Sequence, residues 1–276
     1  MINASHSLLG KVALVAGASR GAGRGIATEL GAAGATVYVT ARSVRGDTIN
    51  DRPESIEETA ELVNLHGGTG IPVRVDHTDP AQVSSLIDKI RHEQGHLDIL
   101  VNSVWDQDLF DFGSTFWDHP LERGLNCLVN GIHAPIICSH FAAPLMFNRE
   151  NSLIVTISDV ECGCMFYRLP KAAVRAMTEI MAEELKPKHV AALTLIPSFM
   201  RTEIVLTDKG VTEKNWQTVL PVETVTPRFV GRGVVALSSD PAILERTGKV
   251  VHVCDLAKVY GFVDLDGRQP QAFGDW

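Results

Sequence analysis

A tyrosine and a lysine four residues apart, Tyr167 and Lys171, stand in the stretch SDVECGCMFYRLPK (158–171). On a helix, this spacing places two side chains one turn apart on the same face. The hydroxyl of a tyrosine can give or take a proton, and its ordinary pKa near 10 falls when a neighbouring ammonium group stabilises the phenolate. The pair therefore fits acid–base chemistry, although a solvated lysine beside a half-buried tyrosine has the same spacing.

A glycine-rich turn, GASRGAG (17–23), follows the apolar run KVALVA (11–16) and leads into a helical pattern. Glycines let the backbone approach a pyrophosphate closely, and the positively polarised start of a helix favours its charge. Glycines also occur in ordinary turns, but a position between a first strand and a first helix favours dinucleotide binding. The predicted contacts are Gly17, Ser19, Arg20, Gly21, Ala22 and Gly23.

The second predicted strand, TVYVTAR (36–42), ends in Arg42 and carries no carboxylate. In folds that prefer NAD, an acidic residue near this point accepts hydrogen bonds from the ribose 2′-hydroxyl. Arg42, together with Arg20, can instead hold a 2′-phosphate through bidentate hydrogen bonds. We therefore predict NADP(H) as the cofactor. NAD(H) stays open, because two solvated surface arginines give the same pattern.

Apolar β-branched runs alternate with helical patterns along the chain, as they do in parallel α/β proteins. Short connections place the strands in one sheet with helices on both faces. We predict a single doubly wound Rossmann domain over residues 1–276. Its seven parallel strands are predicted at 11–18, 36–42, 70–79, 97–103, 152–159, 189–197 and 248–255, and its helices at 24–34, 55–68, 80–95, about 119–147, 171–185 and 228–240.

A polar stretch at 199–226 interrupts this alternation after the sixth predicted strand. Segments beyond the carboxyl ends of such strands commonly cover a binding site, so we predict a substrate-binding lid. Aromatic residues follow the fourth strand and recur in the polar stretch, where they either pack together or line a pocket for an apolar carbonyl compound. They are Trp105, Phe110, Phe112, Phe116, Trp117, Phe199 and Trp216.

The composition argues against several kinds of partner. The 276-residue chain has a formal net charge of −8, which opposes binding to nucleic acids and to anionic membranes. Its ten histidines and five cysteines show no spacing typical of a metal site, so we predict no metal and free thiols. No apolar run approaches the roughly 20 residues of a membrane span, and the start of the chain lacks a signal-peptide pattern. We expect a soluble, cytoplasmic protein.

Together these features resemble the short-chain dehydrogenase/reductase family over nearly the whole chain. VAGASRGAGRGIA (15–27) resembles the family's cofactor turn, and Asp76 resembles its adenine-contacting aspartate. LVNSV (100–104) matches the family's N-N-A-G segment, which stabilises the central sheet; only Asn102 is retained, and it is counted among the expected cofactor contacts. Pro197 and Thr202 in IPSFMRTE match the segment near the nicotinamide, with Ser198 in place of the usual glycine.

Two further stretches, FWDHPLERG (116–124) and residues 246–270, resemble the subgroup around dehydrogenase/reductase member one and its bacterial relatives. The resemblance implies hydride transfer between a nicotinamide and a carbonyl or alcohol carbon of a small molecule. It also implies a homodimer or homotetramer.

The resemblance assigns four catalytic roles. Tyr167 moves the proton of the substrate oxygen, and Lys171 favours its phenolate and holds the nicotinamide ribose. Ser158 polarises the substrate carbonyl, and Asn130 is the nearest candidate for the catalytic asparagine. Pro170 lacks an N–H group, so it is expected in the first turn of the helix that carries Lys171.

Two departures from the family pattern stand out. Ser158 precedes Tyr167 by only nine residues, which is a shorter interval than usual, and Asp159 takes the place of a second serine. Alternation along a strand would point Ser158 and Asp159 to opposite faces. The family's asparagine position falls on Gly131, so Asn130 serves only if a bulge in the helix re-aims it.

The sequence as a whole predicts an NADP(H)-preferring oxidoreductase that acts on a carbonyl or alcohol substrate. The alternative is a catalytically weakened, cofactor-binding relative that serves as a redox sensor or an interaction protein. The two departures keep this alternative open.

Overall fold

A seven-stranded parallel sheet forms the centre of the protein in a computed structural model that describes residues 7–105, 113–159, 163–220 and 222–272. The strands are β1 (Val12–Ala16), β2 (Thr36–Ala41), β3 (Thr69–Arg74), β4 (Ile99–Asn102), β5 (Ser152–Ile157), β6 (Val190–Ile196) and β7 (Val250–His252). Their order is β3-β2-β1-β4-β5-β6-β7, so the direction of winding reverses between β1 and β4. The predicted doubly wound Rossmann fold is confirmed.

Helices cover both faces of this sheet. They are α1 (Gly21–Ala32), α2 (Ile56–Leu65), α3 (Pro80–Gln94), α4 (Leu121–Leu128), α5 (Ala134–Ala142), α6 (Met165–Leu185), α7 (Glu203–Asp208), α8 (Trp216–Val219), α9 (Pro227–Ser238) and α10 (Val253–Tyr260). Helices α1, α2, α9 and α10 bury apolar side chains on one face. Helices α3, α5 and α6 do so on the other.

The central strands are apolar throughout because both of their faces are covered. β1 and β4 are buried at every position. Ala13 and Val15 pack into one core, while Val12 and Leu14 pack into the other. This two-sided burial fixes the strand register and brings the polar residues that follow each strand to one edge of the sheet.

The long helix predicted at about 119–147 is interrupted. It consists of α4, a π-helical turn at Val129–His133, α5 and a 3₁₀ turn at Ala143–Leu145. A π turn inserts an extra residue into the helix and changes the direction of the side chains beside it. Such a turn has no clear local sequence signal.

Two other predicted boundaries are wrong. α6 begins at Met165, so Pro170 is its sixth residue and lies inside the helix rather than in the first turn. Pro170 is buried there and packs against Gly131. The last predicted strand is also shorter, because residues from Val253 onward form α10.

One helical stretch of the described residues, Leu121–Leu145, is long and apolar enough to cross a membrane by length and composition. The expectation that no stretch comes near this length is therefore wrong. Cys138 and Ala142 of this stretch pack into the core beside the sheet. Because core helices pass the same test, length and composition do not assign a membrane span here.

Candidate active site

A cavity of about 320 Å³ lies at the carboxyl ends of the strands, where the direction of winding reverses between β1 and β4. Doubly wound sheets bind their ligands at this point. The predicted site residues in its wall are Gly17, Ser19, Arg20, Gly21, Ala22, Arg42, Asp76, Asn130, Ser158, Tyr167, Lys171, Pro197 and Thr202. Gly23 and Asn102 lie outside the wall.

The turn after β1 needs glycine because backbone segments meet there. Gly17 has a φ of 81°, and a Cβ atom on it would lie 2.5 Å from the Ser103 carbonyl oxygen. A Cβ atom on Gly23 would lie 2.1 Å from the Gly17 carbonyl oxygen, so Gly23 serves the packing of the turn. The turn leads into α1 at Gly21 and presents backbone N–H groups of the kind that bind phosphate.

A carboxylate from α7 already contacts the start of α1. The Gly21 N–H donates a 2.8 Å hydrogen bond to Glu203 Oε2. The N-cap residue, Arg20, makes no side-chain cap hydrogen bond, so Glu203 satisfies an N–H group where the helix dipole favours an anion. Sequence analysis missed this contact, because the two residues are 182 positions apart.

Two arginines, Arg20 and Arg42, reach the cavity wall beside the end of β2. The Arg20 guanidinium lies 3.8 Å from the Glu54 carboxylate, which also pairs with Arg52 at 3.1 Å. Glu54 is buried and does not line the cavity, so it orients Arg20 from behind. Sequence analysis missed Glu54 because it stands in the long loop before α2.

Tyr167 and Lys171 lie one turn apart on α6, and both reach the cavity. The ring of Tyr167 packs edge-to-face against Trp105, with 5.3 Å between the ring centroids. Lys171 Nζ lies 4.1 Å from the centroid of the same indole, within cation–π range. Trp105 thus contacts both members of the predicted catalytic pair and positions them.

Ser158 and Asp159 both line the cavity, although alternation predicted opposite faces. That prediction is wrong because β5 ends at Ile157, before either residue. The buried Ser158 hydroxyl donates to the Lys171 carbonyl oxygen at 2.9 Å. Asp159 instead accepts a hydrogen bond from the Tyr167 hydroxyl. The group in contact with the Tyr167 oxygen is therefore a carboxylate.

The π-helical turn supplies the bulge that Asn130 requires. Asn130 is buried in the cavity wall, where its Nδ2 donates to the Asn126 carbonyl oxygen at 2.9 Å. Gly131 leaves no room for a side chain, since a Cβ atom there would lie 2.8 Å from Pro170 Cβ and 2.9 Å from the Trp105 indole. Pro170 and Trp105 thus occupy the space that a side chain at Gly131, the family's asparagine position, would need. Asn130, one residue earlier, reaches the cavity instead.

Of two further predicted cofactor contacts, Asp76 lies in the cavity wall and Asn102 does not. Asp76 lines the cavity, and its Oδ1 accepts hydrogen bonds from the Thr78 N–H at 2.9 Å and the Thr78 hydroxyl at 2.7 Å. Asn102 does not take part in the wall, against the prediction, because its Nδ2 donates to Ser139 Oγ at 3.0 Å. Asn102 therefore connects β4 to α5.

Three of the five described aromatic residues predicted near the substrate do not line the cavity. Trp105 and Phe199 line the cavity, whereas Phe116 and Trp117 pack on each other and stay exposed. Trp216 is buried away from the cavity. Phe110 and Phe112 lie outside the described residues.

The segment 199–226 is anchored by a buried arginine. Arg201 is 1% exposed and donates to Glu213 at 2.8 Å and to the Thr224 carbonyl oxygen at 2.9 Å. The guanidinium groups of Arg201 and Arg268 both lie against the Trp216 ring, at 4.5 and 4.7 Å from its centroid. The role of this segment as a lid stays a prediction.

Among the described residues, no cluster of three or more His, Cys, Asp or Glu side chains could hold a metal ion. His77 is buried and contacts Thr40 Oγ1 at 2.9 Å and Cys138 Sγ at 3.1 Å. Burial lowers the pKa of His77 to about 4, so it is neutral at pH 7. The described cysteines, Cys127, Cys138, Cys164 and Cys254, are free thiols.

Known proteins are similar in sequence to this chain. A family profile described as "short chain dehydrogenase" matches residues 11–210. The chain belongs to the short-chain dehydrogenase/reductase family. The human protein "Dehydrogenase/reductase SDR family member 1" is 34% identical over 278 residues, which cover 96% of this chain and 86% of the relative. The predicted resemblance to the member-one subgroup is confirmed.

Other relatives of this short-chain dehydrogenase/reductase extend the comparison. "3-oxoacyl-[acyl-carrier-protein] reductase FabG" of Escherichia coli is 30% identical over 203 residues, covering 71% of this chain and 75% of the relative. The crystal structure of a short chain dehydrogenase from Mycobacterium thermoresistibile superposes with a TM-score of 0.81 at 24% identity, covering 94% of this chain and 90% of the other. The family consists of oxidoreductases with a nicotinamide cofactor, and the backbone cradle between Gly17 and α1 fits such a group.

Proposed function

We propose that this protein is an NADP(H)-preferring oxidoreductase that transfers hydride between the nicotinamide and a carbonyl or alcohol substrate. One observation carries the proposal. The glycine turn, two arginines and the Tyr167–Lys171 pair, which are distant in sequence, line the same cavity. The glycine turn would hold the phosphates of the cofactor, and Tyr167 and Lys171 line the same cavity where they could act on a substrate.

The residues of the chain have distinct tasks in this reaction. The bound cofactor supplies or accepts the hydride. Tyr167 gives a proton to the substrate oxygen during reduction and takes it back during oxidation. The ammonium group of Lys171 stabilises the phenolate form of Tyr167, and Trp105 holds both side chains in place. Asn130 contributes a polar group to the same wall.

The choice of NADP(H) rests on the charges beside the end of β2. Arg20 and Arg42 line the cavity there, and Glu54, which lies 3.8 Å from the Arg20 guanidinium, is not in the cavity wall. A 2′-phosphate gains charge-assisted hydrogen bonds from such a pair. The residues that directly follow β2, Arg42 and Ser43, include no carboxylate for a ribose 2′-hydroxyl.

The substrate is proposed to be an apolar carbonyl compound or the corresponding alcohol. Apolar side chains in the cavity wall support this, namely Val104, Ile157, Phe199, Met200, Ile204 and Val205. The name of the Escherichia coli relative makes a 3-oxoacyl thioester one member of the test panel. A homodimer or homotetramer and a cytoplasmic location stay predictions from the family.

Cofactor binding and turnover test the proposal separately. Fluorescence titration measures NADPH and NADH affinity, and a panel of ketones, quinones, steroids and 3-oxoacyl thioesters measures turnover. We expect tight NADPH binding, reduction of at least one apolar carbonyl, and a loss of at least about 10²-fold in kcat for Tyr167→Phe. NADPH binding without turnover, and with no effect of Tyr167→Phe, would instead support the cofactor-binding sensor or interaction protein.

A further inference from the structure

The side chain in contact with the Tyr167 hydroxyl is that of Asp159. The Ser158 hydroxyl, which precedes it, gives its hydrogen to the Lys171 carbonyl oxygen at 2.9 Å. A serine hydroxyl only donates and accepts hydrogen bonds at ordinary pH, whereas a carboxylate can also bind and release a proton. The partner of the tyrosine is therefore itself an acid–base group.

Several charged and ionisable groups surround this contact. Lys171 Nζ lies 5.6 Å from the centroid of the Tyr167 ring, and Arg175 donates to the Asp159 carbonyl oxygen at 3.0 Å. His252 is near enough for the charge of Asp159 to act on it, but burial lowers the pKa of His252, which is neutral at pH 7. Asp159 is half-buried in the cavity wall, which it shares with Lys171 and Tyr167.

We propose that Asp159 is a catalytic residue that exchanges protons with Tyr167. In reduction, the carbonyl carbon gains a hydride while its oxygen takes the proton of Tyr167 Oη, and protonated Asp159 replaces that proton and regains one from water. In oxidation, the alcohol proton passes to Tyr167 Oη as the Tyr167 proton passes to Asp159 and then to water. No electrons pass through Asp159, and the hydride belongs to the cofactor of the proposed function, on which this inference rests.

Reduction and oxidation of the substrate require different protonation states of Asp159. Tyr167 has a single hydroxyl proton, which cannot be donated to a carboxylate and to a substrate carbonyl at once. Reduction therefore requires the carboxylic acid, which donates to Tyr167 Oη and frees the tyrosine proton for the substrate. Oxidation requires the carboxylate. Asp159 therefore has to release and regain a proton in every turnover, so a side chain that cannot do this is expected to slow both directions.

A spectrophotometric titration tests the contact without turnover. The chain has three tyrosines, and burial together with carboxylate partners raises the pKa of Tyr38 and of Tyr260 to about 12. The part of the tyrosinate absorbance that Tyr167→Phe removes then reports Tyr167. In Asp159→Asn the midpoint of this part falls, because the nearby negative charge is gone. Asp88→Asn, on the exposed surface of α3, is the matched control and leaves the midpoint unchanged.

Kinetics in both directions test the proton exchange. The amide of Asp159→Asn can still donate to Tyr167 Oη but cannot carry a proton. We expect kcat for reduction and kcat for oxidation each to fall at least about tenfold. An unchanged tyrosinate midpoint would overturn the contact, and a shifted midpoint with wild-type kcat in both directions would overturn the catalytic role. If the wild type binds cofactor but turns over no substrate, the proposed function fails, and the catalytic role of Asp159 fails with it whatever the titration shows.

Discussion

Replacing Arg42 by alanine tests the cofactor assignment at one position. Arg42 lines the cavity directly after β2 and is half-buried. A hydrogen bond to a charged group contributes about 1.5–3 kcal/mol. A bidentate contact to a phosphate makes two of them, but solvent weakens both at a half-buried site. We therefore expect a loss of about 2–3 kcal/mol for NADPH, which is roughly a 30- to 150-fold increase in Kd.

NADH provides the internal comparison, because it lacks the 2′-phosphate and is otherwise the same ligand. Its Kd is expected to change less than about threefold in Arg42→Ala, since only a distant charge is lost. Arg45→Ala is the matched control for net charge. Arg45 stands in the same loop, pairs with Glu61 at 2.7 Å and does not line the cavity.

Calorimetric titration of NADPH and NADH against the wild type, Arg42→Ala and Arg45→Ala measures these changes in Kd. The loss of NADPH affinity on going from the wild type to Arg42→Ala is expected to shrink at high salt, because the Debye length falls from about 10 Å at 0.1 M to about 3 Å at 1 M. Equal losses for NADPH and NADH would refute the phosphate contact. So would an Arg45→Ala protein that loses as much NADPH affinity as Arg42→Ala.

Three further changes test other features of the fold and site. Ser198 has a φ of 70°, in the left-handed region that favours glycine. Ser198→Gly is therefore expected to raise the free energy of unfolding by roughly 0.5–1 kcal/mol in urea denaturation, after the entropy cost of glycine is subtracted. A loss of stability would contradict this. Glu203→Gln removes a competing anion from the Gly21 N–H and should tighten NADPH and NADH alike by about three- to tenfold in the same titration, whereas weaker binding would mean that Glu203 supports the bound state. His77 has a folded pKa of about 4, below its unfolded value near 6.5, so the unfolded chain binds the extra proton and stability falls by about 3 kcal/mol as the pH drops from 6.5 to 4. His77→Asn should reduce that pH dependence of unfolding, and an unchanged dependence would exclude His77 as its source.

The arrangement of strands and helices could be predicted because its signals are local. An apolar run such as VALVA is a buried parallel strand almost regardless of context, and the glycine turn is recognisable from residue types and their place after β1. Interruptions of helices were missed for the opposite reason. The π turn at Val129–His133 depends on how α4 and α5 pack against α6, and no residue in it is a helix breaker except Gly131.

The polar contacts of the site were less predictable, since they join residues that are far apart in the chain. Glu203 reaches Gly21 across 182 positions, and Glu54 holds Arg20 across a loop. Each contact depends on a side-chain conformation that packing selects. A residue's type and position indicate that it lies near the cavity, but they do not indicate which neighbour it binds.

The end of β5 shows how a small structural difference changes the chemistry of the site. Alternation applies only while the strand continues, and β5 ends at Ile157, which frees Ser158 and Asp159 to face the same cavity. There the Ser158 hydroxyl donates to the Lys171 carbonyl oxygen in α6, and the Asp159 carboxylate accepts the hydrogen bond of the Tyr167 hydroxyl. The short interval before Tyr167 therefore does not by itself argue for a weakened enzyme. It brings a carboxylate into contact with the Tyr167 hydroxyl, and the kinetics of Asp159→Asn decide between the proposed enzyme and a protein that only binds cofactor.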